Sequence, residues 1–160
     1  MLAANDASKR SPDFSFAISD YPGVYLGRAR AQGTAYHDAI GIAREAIEDR
    51  RMAARYNLTF FGAPHVALMF MPEVGDNVRV AADIGMYAQT FLLALTAHGL
   101  GGIPQTMLGY FADTARDCLK IDRSMKMLFG ISFGYPDGAA AANIYRITKA
   151  PVDENVIFHN

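Results

Sequence analysis

Residues 99–107, GLGGIPQTM, are the stretch of this 160-residue chain whose composition best suits a ligand. Three glycines in four residues leave backbone amides uncovered, and Ile103-Pro104 then stiffens the chain. A flat redox ring needs an edge of this kind, with backbone donors toward its reactive nitrogen and carbonyls and apolar groups over its faces. The same residues also serve a plain helix–strand connection in which glycine supplies turns, and on composition alone that is the more ordinary use. Other chemistries find little support. His37, His65, His98 and His159 are scattered, with no second ligand at helical or hairpin spacing, so no metal site is expected. There is no G-x-S-x-G elbow, no P-loop and no G-x-G-x-x-G opening a helix after a strand. The single cysteine, Cys118, has no local partner that would make it a nucleophile and reads as a small residue packed on a helix.

The elements that must position this segment follow from periodicity. Residues 8–27 are rich in Ser, Asp, Pro and Gly with interspersed aromatics, and predict a loop that lays Phe14, Phe16, Tyr21 and Tyr25 on a neighbour. Helices are expected over 28–42 and 45–60, the second stopped by Gly62-Ala63-Pro64. HVALMFM at 65–71 is almost wholly apolar, as expected of a sheet-centre strand covered on both faces. Pro72 ends it, and Asp76 or Asn77 can cap the next helix.

Residues 78–98 predict the longest helix, capped by Gly99 and apolar on nearly every side, hence central and covered all round. Arg79, Asp83, Gln89 and His98 argue against a membrane span. Ala81, Gly85 and Ala88 form a stripe of small residues, suited to packing within the subunit or to a helix contact across a dimer. Residues 100–107 are expected as an extended loop. A short amphipathic helix follows at 109–119, with Asp113, Arg116 and Asp117 outside, then a buried strand at 125–135. Residues 139–143 read as a linker, and 144–160 as an extended tail with a strand candidate at Val156, Ile157 and Phe158. The expected organisation is an N-terminal loop segment, 1–27, and a domain, 28–160, whose tail begins near 144. Such a tail suits exchange with another subunit.

Composition narrows the class. With 51% hydrophobic and 19% charged residues the chain is apolar for a monomer, so some of that surface is expected between subunits. A net charge of −1 gives no basic footprint and excludes nucleic acid as the expected partner. Residues 1–10 lack the apolar core of a signal peptide, and one cysteine fits a reducing compartment, so a cytoplasmic location is expected.

The run 83–95, DIGMYAQTFLLAL, followed by Gly99-Leu100-Gly101-Gly102, closely resembles the central helix and following loop of the flavin-dependent nitroreductase family. Three further pieces match in order: residues 63–71, 128–136 (LFGISFGYP) and 146–156 (RITKAPVDENV). The resemblance covers nearly the whole chain. It implies an α+β homodimer with a long central helix and an antiparallel or mixed sheet flanked by helices. It also implies FMN at the subunit interface and electrons passed from NAD(P)H to nitroaromatic, quinone or similar acceptors. Carried over by position, Pro104, Gln105, Thr106 and Met107 lie against the flavin edge, with Gln105 and Thr106 hydrogen-bonding the ring. Arg146 and Lys149 fall where the family places cations for the flavin phosphate. Hydride transfer belongs to the cofactor, so no catalytic side chain is expected.

The resemblance is to the family's C-terminal two-thirds. The family's opening helix with an Arg-x-Ser-x-Arg-like phosphate motif, and its Asn-rich turn before the first strand, have no counterpart here, and Met1 aligns inside the family pattern. One sheet strand is expected to be missing. Two lost cationic contacts at about 1.5–3 kcal/mol each weaken FMN binding by orders of magnitude. The alternatives are a flavin-free dimeric protein of the same fold with a binding or scaffold role, or a fragment from an internal start.

Overall fold

The structure, a computed structural model, describes residues 1–159. Among these, three strands form one antiparallel sheet in the order β1-β3-β2: β1 (His65–Pro72), β2 (Gly101–Gln105) and β3 (Met125–Gly134). The helices are α1 (Leu2–Asp6), α2 (Gly23–Ala39), α3 (Ile47–Arg55), α4 (Val78–Ala97), α5 (Ala112–Leu119) and α6 (Ala141–Ile144). 3-10 turns occupy Tyr56–Gly62 and Thr106–Phe111. The class is α+β, and the sheet is antiparallel throughout rather than mixed.

The two faces of the sheet carry two apolar clusters, and a bulge decides which residue joins which. On β1, Ala67 and Met69 point to one face and Val66, Leu68 and Phe70 to the other. On β3, Phe129, Ile131 and Phe133 keep company with Ala67 and Met69. Met69 pairs with Phe129 but Phe70 pairs with Met127, so Leu128 is the extra residue. That insertion shifts the alternation by one and turns Met127 to the opposite face, beside Phe70. Helix α4 covers the first face with Ile84, Ala88, Phe91, Leu92 and Leu95. Leu58, the Thr106–Phe111 turn and α5 cover the second, through Leu108, Phe111, Ala112 and Ala115.

Several expectations are corrected. Among the described residues β1 is an edge strand, not the sheet centre, because β3 pairs with both β1 and β2. The glycine-rich segment is not a loop. It is an edge strand, and the glycine at 102 serves close packing: a Cβ there would lie 2.9 Å from both Leu92 Cδ2 and Leu95 Cδ1. Pro104 is tolerated because the strand is at the edge, where a missing amide breaks no central ladder. Helix α2 starts earlier than 28 because Pro22 enters it in extended geometry. The helix expected to reach 60 stops at Arg55, and left-handed Phe60, Phe61 and Gly62 turn the chain into β1. Arg116, expected outside, is buried.

Helix α4 is covered on one side only within the chain: Met86, Tyr87 and Leu93 are 63%, 61% and 63% exposed, and nothing lies within 4 Å of a Cβ built on Gly85. Residues 139–143 include the start of α6. No strand forms at Val156–Phe158 among the described residues, where Ile157 and Phe158 are 81% and 76% exposed. Asn160, the last residue of the expected tail, lies outside the described residues.

Gly130 is the tightest point of the second face. A Cβ there would sit 2.6 Å from Leu108 Cδ1 and 2.9 Å from Leu68 Cδ2. Gly130→Ala should destabilise the protein by about 1–3 kcal/mol, a fall in Tm of roughly 2–10 °C in thermal denaturation. Gly138→Ala, where a Cβ meets nothing within 4 Å, is the matched control and should leave Tm unchanged.

Candidate functional site

Strand β2 delivers the chain to the site. Gln105 is its last residue, and the next two, Thr106 and Met107, open the 3-10 turn and line a cleft of about 1380 Å³. Helix α2 contributes Tyr25, Arg28 and Gln32 to the same cleft. The segment before α2 adds Phe16, Asp20 and Tyr21. The tail after α6 adds Tyr145, Arg146, Lys149 and Glu154 to the lining. Four of the six residues expected at a cofactor therefore share one cleft wall or another: Thr106, Met107, Arg146 and Lys149.

The other two sit differently. Pro104 is exposed on the edge strand and does not line the cleft. Gln105 is 2% exposed and lies beneath the lining. Its Nε2 donates to Asn57 O at 2.9 Å and to Asn57 Oδ1 at 3.3 Å, while its Oε1 accepts from Ser132 Oγ. A side chain so engaged has no free donor for a ring. Arg28, Glu154, Tyr110 and Tyr145 were not singled out from sequence. Arg28 lies on a helix with no clear apolar face, and Glu154 becomes relevant only because the tail returns to α2.

Charge within the cleft favours an anion near the tail. Arg28, Arg146 and Lys149 face Asp20 and Glu154 among the lining residues. Arg28 Nη2 donates to Glu154 Oε2 at 2.8 Å, and Asp20 accepts from Ser15 Oγ at 2.6 Å. Arg146 Nη1 donates to Asn143 O at 2.5 Å and Tyr145 O at 3.1 Å, holding the guanidinium against the end of α6. Lys149 makes no ion pair or hydrogen bond among the described residues. Five aromatic rings line the same space: Phe16, Tyr21, Tyr25, Tyr110 and Tyr145.

The wall bearing Phe16 is pinned to the core. Phe16 meets the Tyr110 ring edge-on at 5.5 Å, and Tyr110 Oη donates to Phe16 O at 3.1 Å. Three residues earlier, Asp13 accepts from Arg116 Nη1 at 2.6 Å, from Arg116 Nη2 at 3.1 Å and from Met127 N at 2.8 Å. Arg116 Nη2 also donates to Asp113 Oδ1 at 2.8 Å. Burial alone would raise the Asp13 carboxyl, but the hydrogen bonds from Arg116 and the Met127 amide outweigh it and hold it below its ordinary 3.8. The hydrogen bond to Asp13 likewise pushes the Arg116 guanidinium upward. Among the described residues no group of three His, Cys, Asp or Glu could hold a metal ion, and Cys118 is exposed.

Comparison with known proteins supplies the context for this cleft. The model of the nitroreductase family matches residues 17–135. The chain is 39% identical over 158 residues to the nitroreductase NfnB of Mycolicibacterium smegmatis, covering 99% of this chain and 67% of that one. It is 35% identical over 125 residues to a 4-nitrobenzoate reductase of Nocardioides, covering 77% of this chain and 49% of the relative. A 4-nitrobenzoate reductase of Pseudomonas putida is 32% identical over 148 residues, 92% of this chain and 64% of the relative. The chain thus spans between about half and two-thirds of these relatives. The crystal structure of the FMN-dependent nitroreductase NfnB from Mycobacterium smegmatis in complex with NADPH superposes with a TM-score of 0.93 at 38% identity, over 99% of this chain and 71% of that one.

The Asp13–Arg116 pair makes a pH-dependent contribution to the cleft wall. Because the folded Asp13 carboxyl titrates below 3.8, its stabilisation is present above that pH and is lost as pH falls through the folded value. Asp13→Asn should cost about 3 kcal/mol at pH 7, since it leaves a buried guanidinium short of a partner. The difference from wild type should shrink below pH 3.8 in denaturant titrations; a gap independent of pH would show that the carboxylate is not what holds the wall.

Proposed function

The chain belongs to the nitroreductase family, and we propose that its cleft holds FMN and serves electron transfer from NAD(P)H to nitroaromatic, quinone or similar acceptors. The observation that carries this reading is the convergence of the Thr106–Met107 ledge with Arg146 and Lys149 of the tail on one aromatic-lined cleft. Those partners are some forty residues apart in sequence. The donor set suits a flat anionic cofactor: rings for its faces, backbone at Thr106 and Met107 for its edge, and for its phosphate a cation, Lys149, with no partner among the described residues. Pockets for single drug-sized ligands run to about 1,000 Å³, so a cleft of about 1380 Å³ leaves room for a second ring beside the first.

When bound, FMN supplies the hydride chemistry. The protein's part is to bind and orient. The ledge fixes the ring edge on a rigid sheet, Lys149 and Arg146 neutralise phosphate charge, and the aromatic walls exclude water from the reacting faces. No side chain is required as acid, base or nucleophile.

Relatives carrying similar sequence support a cofactor of this class: NfnB is an FMN-dependent enzyme solved with NADPH, and two relatives reduce 4-nitrobenzoate. The reading places the enzyme in the cytoplasm, where reduced nicotinamide is available. It also makes the enzyme a homodimer. Met86, Tyr87 and Leu93 leave an apolar stripe on α4 with Gly85 beside it, and a second copy of α4 can approach a helix closely at such a residue. Gly85→Leu should leave the fold intact and shift the protein to monomer in sedimentation velocity, whereas Gly85→Ala should stay dimeric.

The purified protein is expected to be yellow, with flavin absorbance near one per subunit. Lys149→Ala together with Arg146→Ala should raise the FMN dissociation constant at least tenfold, measured by quenching of flavin fluorescence. Unchanged affinity would remove both residues from the phosphate site. A colourless protein whose Tm does not respond to saturating FMN would end the flavin reading and leave the flavin-free fold.

A further inference from the structure

Gln105 is conspicuous because it is buried, polar and fully engaged, one residue before the cleft. Its carboxamide joins three separate pieces of chain. Nε2 reaches Asn57 O and Oδ1 in the Tyr56–Gly62 turn, Oε1 takes the Ser132 hydroxyl on β3, and its own backbone ends β2. Ser132 is itself 1% exposed. The register explains how they meet: Ile103 pairs with Ser132 and Gln105 with Gly130, so Gln105 and Ser132 are diagonal neighbours on the same face.

The residues after Gln105 are held down with equal tightness. Leu108 lies over Gly130, where a Cβ would come within 2.6 Å. Gly109 lies against Leu128 O, at 2.6 Å from where its own Cβ would be, and against the Phe16 ring. Thr106 and Met107 are therefore bracketed, with the glutamine brace on one side and the Leu108–Gly109 packing on the other. The packing fixes the height of the turn over the sheet. The brace is the polar, directional restraint, and it ties that turn to the Asn57 segment, which carries left-handed Phe60 and Phe61.

We propose that Gln105 is a positioning residue: without touching the cofactor, its amide sets where the Thr106–Met107 backbone meets the flavin edge, and so tunes flavin affinity and redox behaviour. This rests on the assignment of FMN to the cleft. A buried amide satisfied at both ends transmits position well, because any shift of Thr106–Met107 must break a hydrogen bond that has no water to replace it.

The test compares wild type, Gln105→Met and Ser132→Ala by FMN titration, by the visible spectrum of the bound flavin and by its midpoint potential. Gln105→Met keeps length and apolar packing but removes the amide. It should weaken FMN at least tenfold and change both the band shape and the potential of what binds. Ser132→Ala, which leaves β2 and Gln105 in place, should move the same observables in the same direction by less. If Gln105→Met does not fold, Ser132→Ala decides alone, and a wild-type spectrum, potential and affinity there would overturn the proposal. A variant with lowered Tm but wild-type flavin properties would likewise overturn it, making Gln105 merely structural. Failure of the underlying assignment shows separately, since wild type itself would then bind no FMN.

Discussion

Strand β3 is used on both edges and both faces, and the geometry of the molecule follows from that. Its edges hydrogen-bond β1 and β2, and its faces carry the two apolar clusters, so its buried residues cannot change size or phase without cost to something else. The Leu128 bulge lets one strand serve two cores. Upstream of it Met127 faces the α5 side, and downstream Ile131 faces α4. The glycines of the strand answer a further demand. Gly130 admits Leu108, and Gly134 admits Pro64, whose Cδ would lie 2.7 Å from a Cβ there. The cleft's ledge is a consequence, because the Thr106–Phe111 turn can descend onto the sheet only where the central strand has no side chain.

Much of this was legible in residue pattern, and what was not has physical reasons. The apolar runs of β1 and β3 and the long α4 declared themselves because burial on two faces, or a helix of twenty residues, leaves a signal that neighbours cannot erase. The glycine-rich segment reads as a loop from its residues and is a strand in the fold. Glycine signals freedom in a sequence, while Gly102 is present for the opposite reason, to let Leu92 and Leu95 press on the sheet. Arg116 misled in a similar way: its helical position looks exposed until Asp13, more than a hundred residues away, arrives to neutralise it. Gln105 was singled out as a ligand contact from its place in the motif, and only its distant partners Asn57 and Ser132 show that its amide is already engaged. Partners far apart in sequence have no local signature.

The surfaces also sort by what a single chain can cover. Helix α4 buries Ala88 and Leu95 but presents Met86, Tyr87 and Leu93 outward, and α2 has no buried residue. The apolar pattern of 78–98 predicts a helix covered all round, by its own subunit or by a second one. One subunit supplies only the sheet side, which is why the overall apolar fraction looked high for a monomer.

The cleft inherits a division between a rigid side and a soft one. Its floor, Thr106 and Met107, stands on close-packed glycines and a satisfied buried amide. Its other components, α2 and the tail, are joined by the Arg28–Glu154 pair, whose side chains are 43% and 52% exposed. Pairs this exposed contribute about 0–1 kcal/mol, and α2 itself has no buried residue. That division suits a resident ring held at one edge and a succession of differently shaped partners entering over the opposite side, because precision is needed only where the ring is held.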